Sequence, residues 1–431
     1  MGKQTKQLKK NPLPLIAYPI ILDVDKTTKN EIITPKFKTM TNLTVHTKKI
    51  GPILRGHPWV YSGAIIDMPE GLNFGEPVKL YSPDKEFLAQ GFFNSYSQLA
   101  VRVWGYNEEE EVNDDFFKLR VQLALSIRLQ VIDQKKTNCY RIVNSENDFL
   151  PGLIVDKYAD YLVVQFHNRG IEAWQEQILN ALIKIVKPKG IYDKTYKRSL
   201  TEEEAALRSR LLYGKVPTTI KVKENGHIFA IDVAEGQKTG FFIDQRDKRQ
   251  ALTKYVKGKN VLNCFSYTGG FSVYALSAGA KHVTSVDVSP KAIELAEKNF
   301  VLNKFQKSKY TSICEDVKKY IRQVEENAFD VVVLDPPAFI KDRDKIKEGM
   351  IGYKSINEVT MRVMPSDSIL MTCSCSAHLS LDEFKNILVN ASINAGRTIQ
   401  ILEVLTFAPD HLELPSFTEG GYLKCVILRV L

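Results

Sequence analysis

From residue 226 to the C-terminus, short apolar runs alternate with amphipathic stretches in a regular order. The run Val331-Val332-Val333-Leu334, preceded by Phe329 and ended by Asp335-Pro336-Pro337, reads as a strand buried on both faces. Asp335 marks its end, because proline cannot continue a central ladder. Further strands are expected over residues 260–265, 282–288, 310–314, 369–372, 398–406 and 422–430. Helices are expected over 271–277, 290–303, 317–326 and 349–363. Ser289 caps the second of these with Pro290 in its first turn. Ser380 and Glu383 form a capping box for one more helix. Repeated strand–helix–strand units imply a doubly wound, mostly parallel sheet with helices on both faces, and the two closing strands imply an antiparallel edge.

Upstream the pattern differs. Residues 114–131 carry a helical period (Phe117, Val121, Leu125, Leu129), followed by strands over 140–144 and 160–166 and a helix over 171–186. A turn-rich link, 146–153, lies between the two strands. Lys194, Lys197 and Arg198 form a basic cluster. Before this, short apolar runs at 64–66, 77–80 and 99–104 alternate with Gly and Pro, the mark of small β structure. Residues 1 to about 40 are lysine-rich and lack an amphipathic period, and Met40 is a candidate second start. The expected organisation is an extension (1–41), a small β domain (42–113), a middle α+β domain (114–225) and an α/β domain (226–431).

At 431 residues the chain exceeds one ordinary core. No apolar run approaches the roughly 20 residues that span a bilayer, and no signal peptide is read. The six cysteines form no C-x-x-C pair, so neither a disulfide framework nor a metal site is expected. These features point to a reduced, cytoplasmic protein. The formal net charge of +9 and a pI near 9.0 favour a polyanionic partner such as nucleic acid. The patch around Arg55, His57 and Trp59 combines a cation with rings suited to stacking on bases, against the plainer reading of a turn with a packed tryptophan.

The chemistry concentrates at the strand ends, where open α/β sheets bind ligands. The first strand runs into Asn263-Cys264-Phe265-Ser266-Tyr267-Thr268-Gly269-Gly270, a glycine turn without the G-x-G-x-x-G spacing of a dinucleotide site. The next strands end in Asp287, in Glu315-Asp316 and in Asp335. A carboxylate at Asp287 suits ribose hydroxyls and one at Asp316 an adenine edge. Without a P-loop lysine, S-adenosylmethionine is the cofactor that fits. Upstream, Gly236 to Arg246 reads as a lid over its methionine end, with Asp244 and Arg246 as contacts. The fifth strand ends in Thr372-Cys373-Ser374-Cys375-Ser376, placing a thiol beside Asp335. A thiolate added to C6 of cytosine makes C5 nucleophilic, which is covalent catalysis. Asp335 would hold and protonate N3, and Phe339 would face a flipped-out base.

These residues, with Arg55-Gly56-His57-Pro58-Trp59, Lys238 to Arg246, Phe265 to Ser272, Asp335 to Phe339 and Ser374-Cys375-Ser376, resemble bacterial 23S rRNA cytosine-5 methyltransferases of the RlmI family from about residue 42 to the end. The resemblance implies an N-terminal PUA RNA-binding domain, a middle α+β domain and a class I methyltransferase domain. It implies 23S rRNA or a large-subunit precursor as partner, no membrane association, and leaves a homodimer open. It makes Cys375 the nucleophile ahead of Cys373. Asn263, Phe265, Tyr267, Thr268, Gly269, Asp287, Asp316, Asp335, Asp244 and Arg246 are the expected cofactor contacts. The competing readings are a guanine-N7 or amino-group rRNA methyltransferase, and a non-catalytic rRNA-binding assembly factor.

Overall fold

The computed structural model describes residues 40–95, 98–195 and 209–431. Lys197, Arg198 and the expected extension before Met40 lie outside the described residues. The first sheet contains β1 (Thr41–Val45), β2 (Trp59–Tyr61), β3 (Ile65–Ile66), β4 (Pro77–Tyr81), β5 (Phe87–Phe93) and β6 (Leu99–Gly105), in the order β2-β6-β5-β4-β1-β3. The apolar pattern did not single out β5. Gly91 interrupts it because a Cβ there would come within 2.2 Å of the Arg102 carbonyl on β6.

The helix Asp114–Val131 starts where Asn113 accepts the backbone amides of Asp115 and Phe116. Phe117 and Val121 are buried as the period requires, but Leu129 is half exposed. Arg128 is buried in its stead, held by Asp148 at 2.5 Å and by the Asp410 carbonyl at 2.8 Å. The middle sheet holds β7 (Cys139–Asn144), β8 (Leu153–Tyr158), β9 (Tyr161–Phe166), β10 (Gly190–Lys194) and β11 (Ser209–Gly214), ordered β11-β10-β9-β8-β7. The link expected over 146–153 runs through a 3-10 turn, Ser145–Asp148, directly into β8, a strand that the expected elements do not include. The expected helix over 171–186 is a short turn, Arg169–Glu172, followed by Gln175–Val186.

β12 (Thr219–Glu224) and β13 (His227–Asp232) form a hairpin turning on Asn225 and Gly226, both at positive φ. The expected boundary at 225/226 falls inside this hairpin. Its strands join two regions through one core: Cys139, Tyr158 and Val163 of the middle sheet pack with Ile220, Phe229, Val261 and Val331.

The final sheet comprises β14 (Asn260–Cys264), β15 (His282–Asp287), β16 (Tyr310–Cys314), β17 (Val331–Leu334), β18 (Ser368–Ser374), β19 (Ile399–Leu405) and β20 (Lys424–Val430). Its order is β16-β15-β14-β17-β18-β20-β19, with β14 to β18 parallel. The closing pair is antiparallel as expected, but β20 inserts between β18 and β19 and leaves β19 at the edge. Strand order reverses at β14, the switch point at which such sheets open a crevice.

Candidate active site

A cavity of about 360 Å³ opens at the carboxyl ends of β14, β15, β16, β17 and β18. Its floor is the turn after β14. Phe265 and Tyr267 adopt positive φ (58° and 46°), and Gly269 at φ 75° begins the helix Gly270–Ser277. Gly269 is required by packing: a Cβ would press on Ala296 and Phe300 of the helix Pro290–Leu302 at 3.0 Å. Asp287 accepts the Tyr267 and Ser289 amides at 2.8 and 2.9 Å, one on each oxygen. This fixes its carboxylate on the cavity wall beside Val288, an apolar side chain left 69% exposed. Asp316 stands opposite and also caps the next helix by accepting the Lys319 amide at 2.9 Å.

The segment before the sheet closes one side. The Tyr267 hydroxyl accepts the Gln237 amide at 2.8 Å and donates to the Gly240 carbonyl at 3.2 Å. Lys238, Phe242 and Gln245 thereby line the cavity. Asp244 does not line it. Its carboxylate accepts Lys238 Nζ at 2.6 Å and the Tyr422 hydroxyl at 2.8 Å. Burial opposes its ionisation, but Lys238 and His411 outweigh that and hold it far below the usual carboxylate range.

At the other end stand Asp335 and Cys375. Gln245 Nε2 donates to both Asp335 oxygens at 3.1 Å. Burial pushes the Asp335 carboxyl up to about 6; Asp244 adds to this, while Lys248 and Lys238 oppose it. The Cys375 thiol donates to the Pro336 carbonyl at 3.8 Å and lines the cavity. Burial, then the Asp335 charge, push it up to about 11. Lys424 Nζ donates to the carbonyls of Ser376 and Leu379 at 2.8 and 2.5 Å, which pins the chain just after Cys375.

Of the expected residues, Phe265, Tyr267, Thr268, Asp287, Asp316, Asp335 and Cys375 meet at this cavity. Others are placed elsewhere. Cys373 lies within β18 opposite Cys425 and is fully buried in the core. Side chains two apart share a strand face, but β18 ends at Ser374, so Cys375 is free to turn toward the cavity. Arg246 is a buried strut on Asp410 at 2.7 Å. Asn263 sits beneath the turn and donates to Ser272 Oγ at 2.9 Å. Phe339 packs on Tyr353 at 4.7 Å between ring centroids, under Lys318, and does not reach the cavity.

The Arg55–Trp59 patch is largely an internal joint. Trp59 donates to Glu146 at 2.8 Å, meets Phe417 edge-on at 4.9 Å and lies under Arg102. His57 faces Glu419 at 3.3 Å. Arg102 over the ring and Phe417 against it leave Trp59 part-buried, which works against base stacking, while Arg55 is exposed. Periodicity alone did not single out Gln245, Lys238, Val288 or Tyr422 as cavity residues. Gln245 and Lys238 sit inside the quoted lid motif, but Tyr422 arrives from 178 residues beyond Asp244 with no local signal.

The cavity's polar inventory fits an adenosyl sulfonium cofactor. Ser266 Oγ and Thr268 Oγ1 line the cavity and are buried without a hydrogen-bond partner among the described residues, as hydroxyls awaiting a ligand's polar groups would be. No helix of the described residues is long and apolar enough to cross a membrane.

The S-adenosylmethionine-dependent methyltransferase family profile matches residues 202–416, and a PUA-like domain profile matches residues 43–105. Ribosomal RNA large subunit methyltransferase I of Alteromonas mediterranea is 37% identical over 378 residues, covering 87% of this chain and 95% of its own. The protein of that name from Aeromonas hydrophila is 39% identical over 381 residues, covering 88% and 96%. Two solved structures share the fold at 90% coverage of this chain and 100% of theirs. One, described as a methyltransferase in complex with SAH, has a TM-score of 0.79 at 23% identity. The other, described as a SAM-dependent methyltransferase from Streptococcus mutans, has a TM-score of 0.77 at 22% identity.

Proposed function

The chain belongs to the ribosomal RNA large subunit methyltransferase I family and uses S-adenosylmethionine, and from that premise we propose that it methylates C5 of a cytosine in 23S rRNA through a Cys375 adduct. The observation that carries this reading is the pairing of Cys375 and Asp335 at neighbouring strand ends on one cavity wall. A guanine-N7 or amino-group transfer has no use for a thiol there.

When bound, S-adenosylmethionine supplies an electrophilic methyl group. Asp287 and Asp316 would receive its ribose and adenine, and Lys238 with the lid segment its methionine end. Cys375 Sγ forms a bond to C6, the ring electrons shift toward N3, and Asp335 delivers its proton there. A carboxyl held near 6 suits that donor role around neutral pH. C5 becomes an enamine carbon. After C5 is alkylated, its proton passes to solvent water, the C5–H electrons re-form the ring double bond as the C6–S bond breaks, and the N3 proton returns to Asp335. A cationic cofactor beside Cys375 favours the thiolate that burial disfavours.

The partner under this reading is 23S rRNA, free or within a large-subunit precursor. The PUA-like domain and the net charge of +9 support it. The test is a map of 5-methylcytosine in 23S rRNA from cells with and without the gene. One cytosine should lose its methyl in the deletion strain and regain it with wild type, but not with Cys375→Ala. An unchanged map would sink the proposal.

A further inference from the structure

Gln245 ends a 3-10 turn, Ile243–Gln245, just before the helix Arg246–Leu252. Its side chain lines the cavity together with Asp335 and Cys375. Nε2 is committed to the two Asp335 oxygens. Oε1 is buried and has no donor among the described residues. A buried acceptor left unsatisfied costs about 1–3 kcal/mol, and its persistence at a cavity wall calls for a partner that arrives later.

The amide NH2 faces both Asp335 oxygens and Oε1 faces away, an orientation kept when the Asp335 proton is given to the base, since both carboxyl oxygens then still accept. The backbone is clamped on both sides: Asp244 by Lys238 and Tyr422, Arg246 by Asp410. With the backbone fixed on both sides, Oε1 stands at the cavity wall beside Asp335.

We infer that Gln245 Oε1 accepts a proton of the exocyclic amino group of the target cytosine and so distinguishes it from uracil. This rests on the cytosine-5 reading above. Cytosine presents an amino donor beside the N3 acceptor; uracil presents a carbonyl acceptor beside an N3–H. A neutral Asp335 donates to cytosine N3, and Gln245 Oε1 then meets N4–H. With uracil, Oε1 would face O4, acceptor against acceptor, and Asp335 would face a donor. Sites built to hydrogen-bond a group reject analogues lacking it far more strongly than apolar pockets do.

The experiment uses full-length protein and 23S rRNA transcripts carrying 5-fluorocytidine or 5-fluorouridine at the position found by the deletion-strain map. Fluorine at C5 blocks release, so an attacked base stays bonded to the sulfur and is counted on a denaturing gel. Wild type should trap the cytosine transcript in strong preference to the uracil one. Gln245→Met should lower that preference by about 10-fold or more, the loss of one buried hydrogen bond. A Gln245→Met protein that keeps the full preference overturns the assignment, as does one that loses cofactor affinity with the preference intact. Finding no methylated cytosine at all overturns the cytosine-5 reading itself, and this assignment with it.

Discussion

The Cys375 thiol donates to the carbonyl of Pro336 at 3.8 Å, so the residue after the β18 strand end is tied to the residue after Asp335. That contact sets two parallel strand ends into one unit. Cys375→Ala should lower methyl transfer by at least about 10³-fold, the range expected when a covalent nucleophile is removed. Cys375→Ser should be nearly as inactive, since a hydroxyl is a far weaker nucleophile at its ordinary pKa. Cofactor affinity should change little. Cys373→Ala should keep its activity and cost stability instead, as a small cavity beside Cys425. Transfer of labelled methyl to rRNA, with a thermal melt for each variant, separates the two cysteines.

Asp335 should make the protein less stable as pH rises. Its folded pKa, about 6, lies above the ordinary value of 3.8. The folded state therefore holds more protons than the unfolded chain between those values, and stability falls as pH rises through that window. Above it, the loss is of the order of 3 kcal/mol at about 1.4 kcal/mol per pKa unit. Asp335→Asn should raise the melting temperature at pH 7.5, give no gain at pH 4, and abolish methyl transfer. Equal melting shifts at both pH values would contradict the buried-carboxyl account.

The pH–rate profile follows from the same pair. The competent form needs Asp335 protonated and Cys375 ionised, the reverse of their resting order. The fraction of that form rises with pH below about 6 and falls above about 11, with a plateau between. kcat/KM for rRNA should rise about tenfold per pH unit below the lower value. In Asp335→Asn only the thiol titrates, so any residual activity should keep rising past pH 6 and lose the plateau.

Asp410 should prove structural. It receives Arg246 at 2.7 Å and the Arg141 amide at 2.9 Å in a buried setting. Asp410→Ala strands the Arg246 cation, a change that costs about 3–5 kcal/mol when one member of a buried pair is removed. A urea titration should show the lowered midpoint. Activity should also fall, because Arg246 adjoins Gln245.

Trp59→Ala should destabilise the protein by roughly 2–3 kcal/mol, somewhat less than a fully buried ring. It removes the contact with Phe417 and the hydrogen bond to Glu146. Affinity for rRNA per folded molecule should stay near wild type, whereas Arg55→Ala should weaken it, more so at low salt. Filter binding over a salt series checks both. A selective loss of affinity in Trp59→Ala at full folding would restore the stacking role.

The parallel sheet, its strand-end acids and the glycine turn are legible in the amino-acid order alone. These are local signals: an apolar run ended by Pro-Pro must stop where Asp335 stops, and Ser380 with Glu383 caps a helix whatever lies around it. The amino-acid order also carried the family resemblance that puts Cys375 ahead of Cys373. Why the two cysteines differ in place was a tertiary matter, since it depends on β18 ending at Ser374 and on β20 lying opposite Cys373. So was the fate of Trp59, whose ring could equally have met a base had Phe417 not folded back onto it. Arg246 and Asp244 look alike in the lid motif, yet one pairs with Asp410 and the other with Lys238 and Tyr422. Burial and partners, which raise Asp335 and leave Gln245 Oε1 without a donor, depend on chain segments tens to hundreds of residues apart, and no local pattern encodes them.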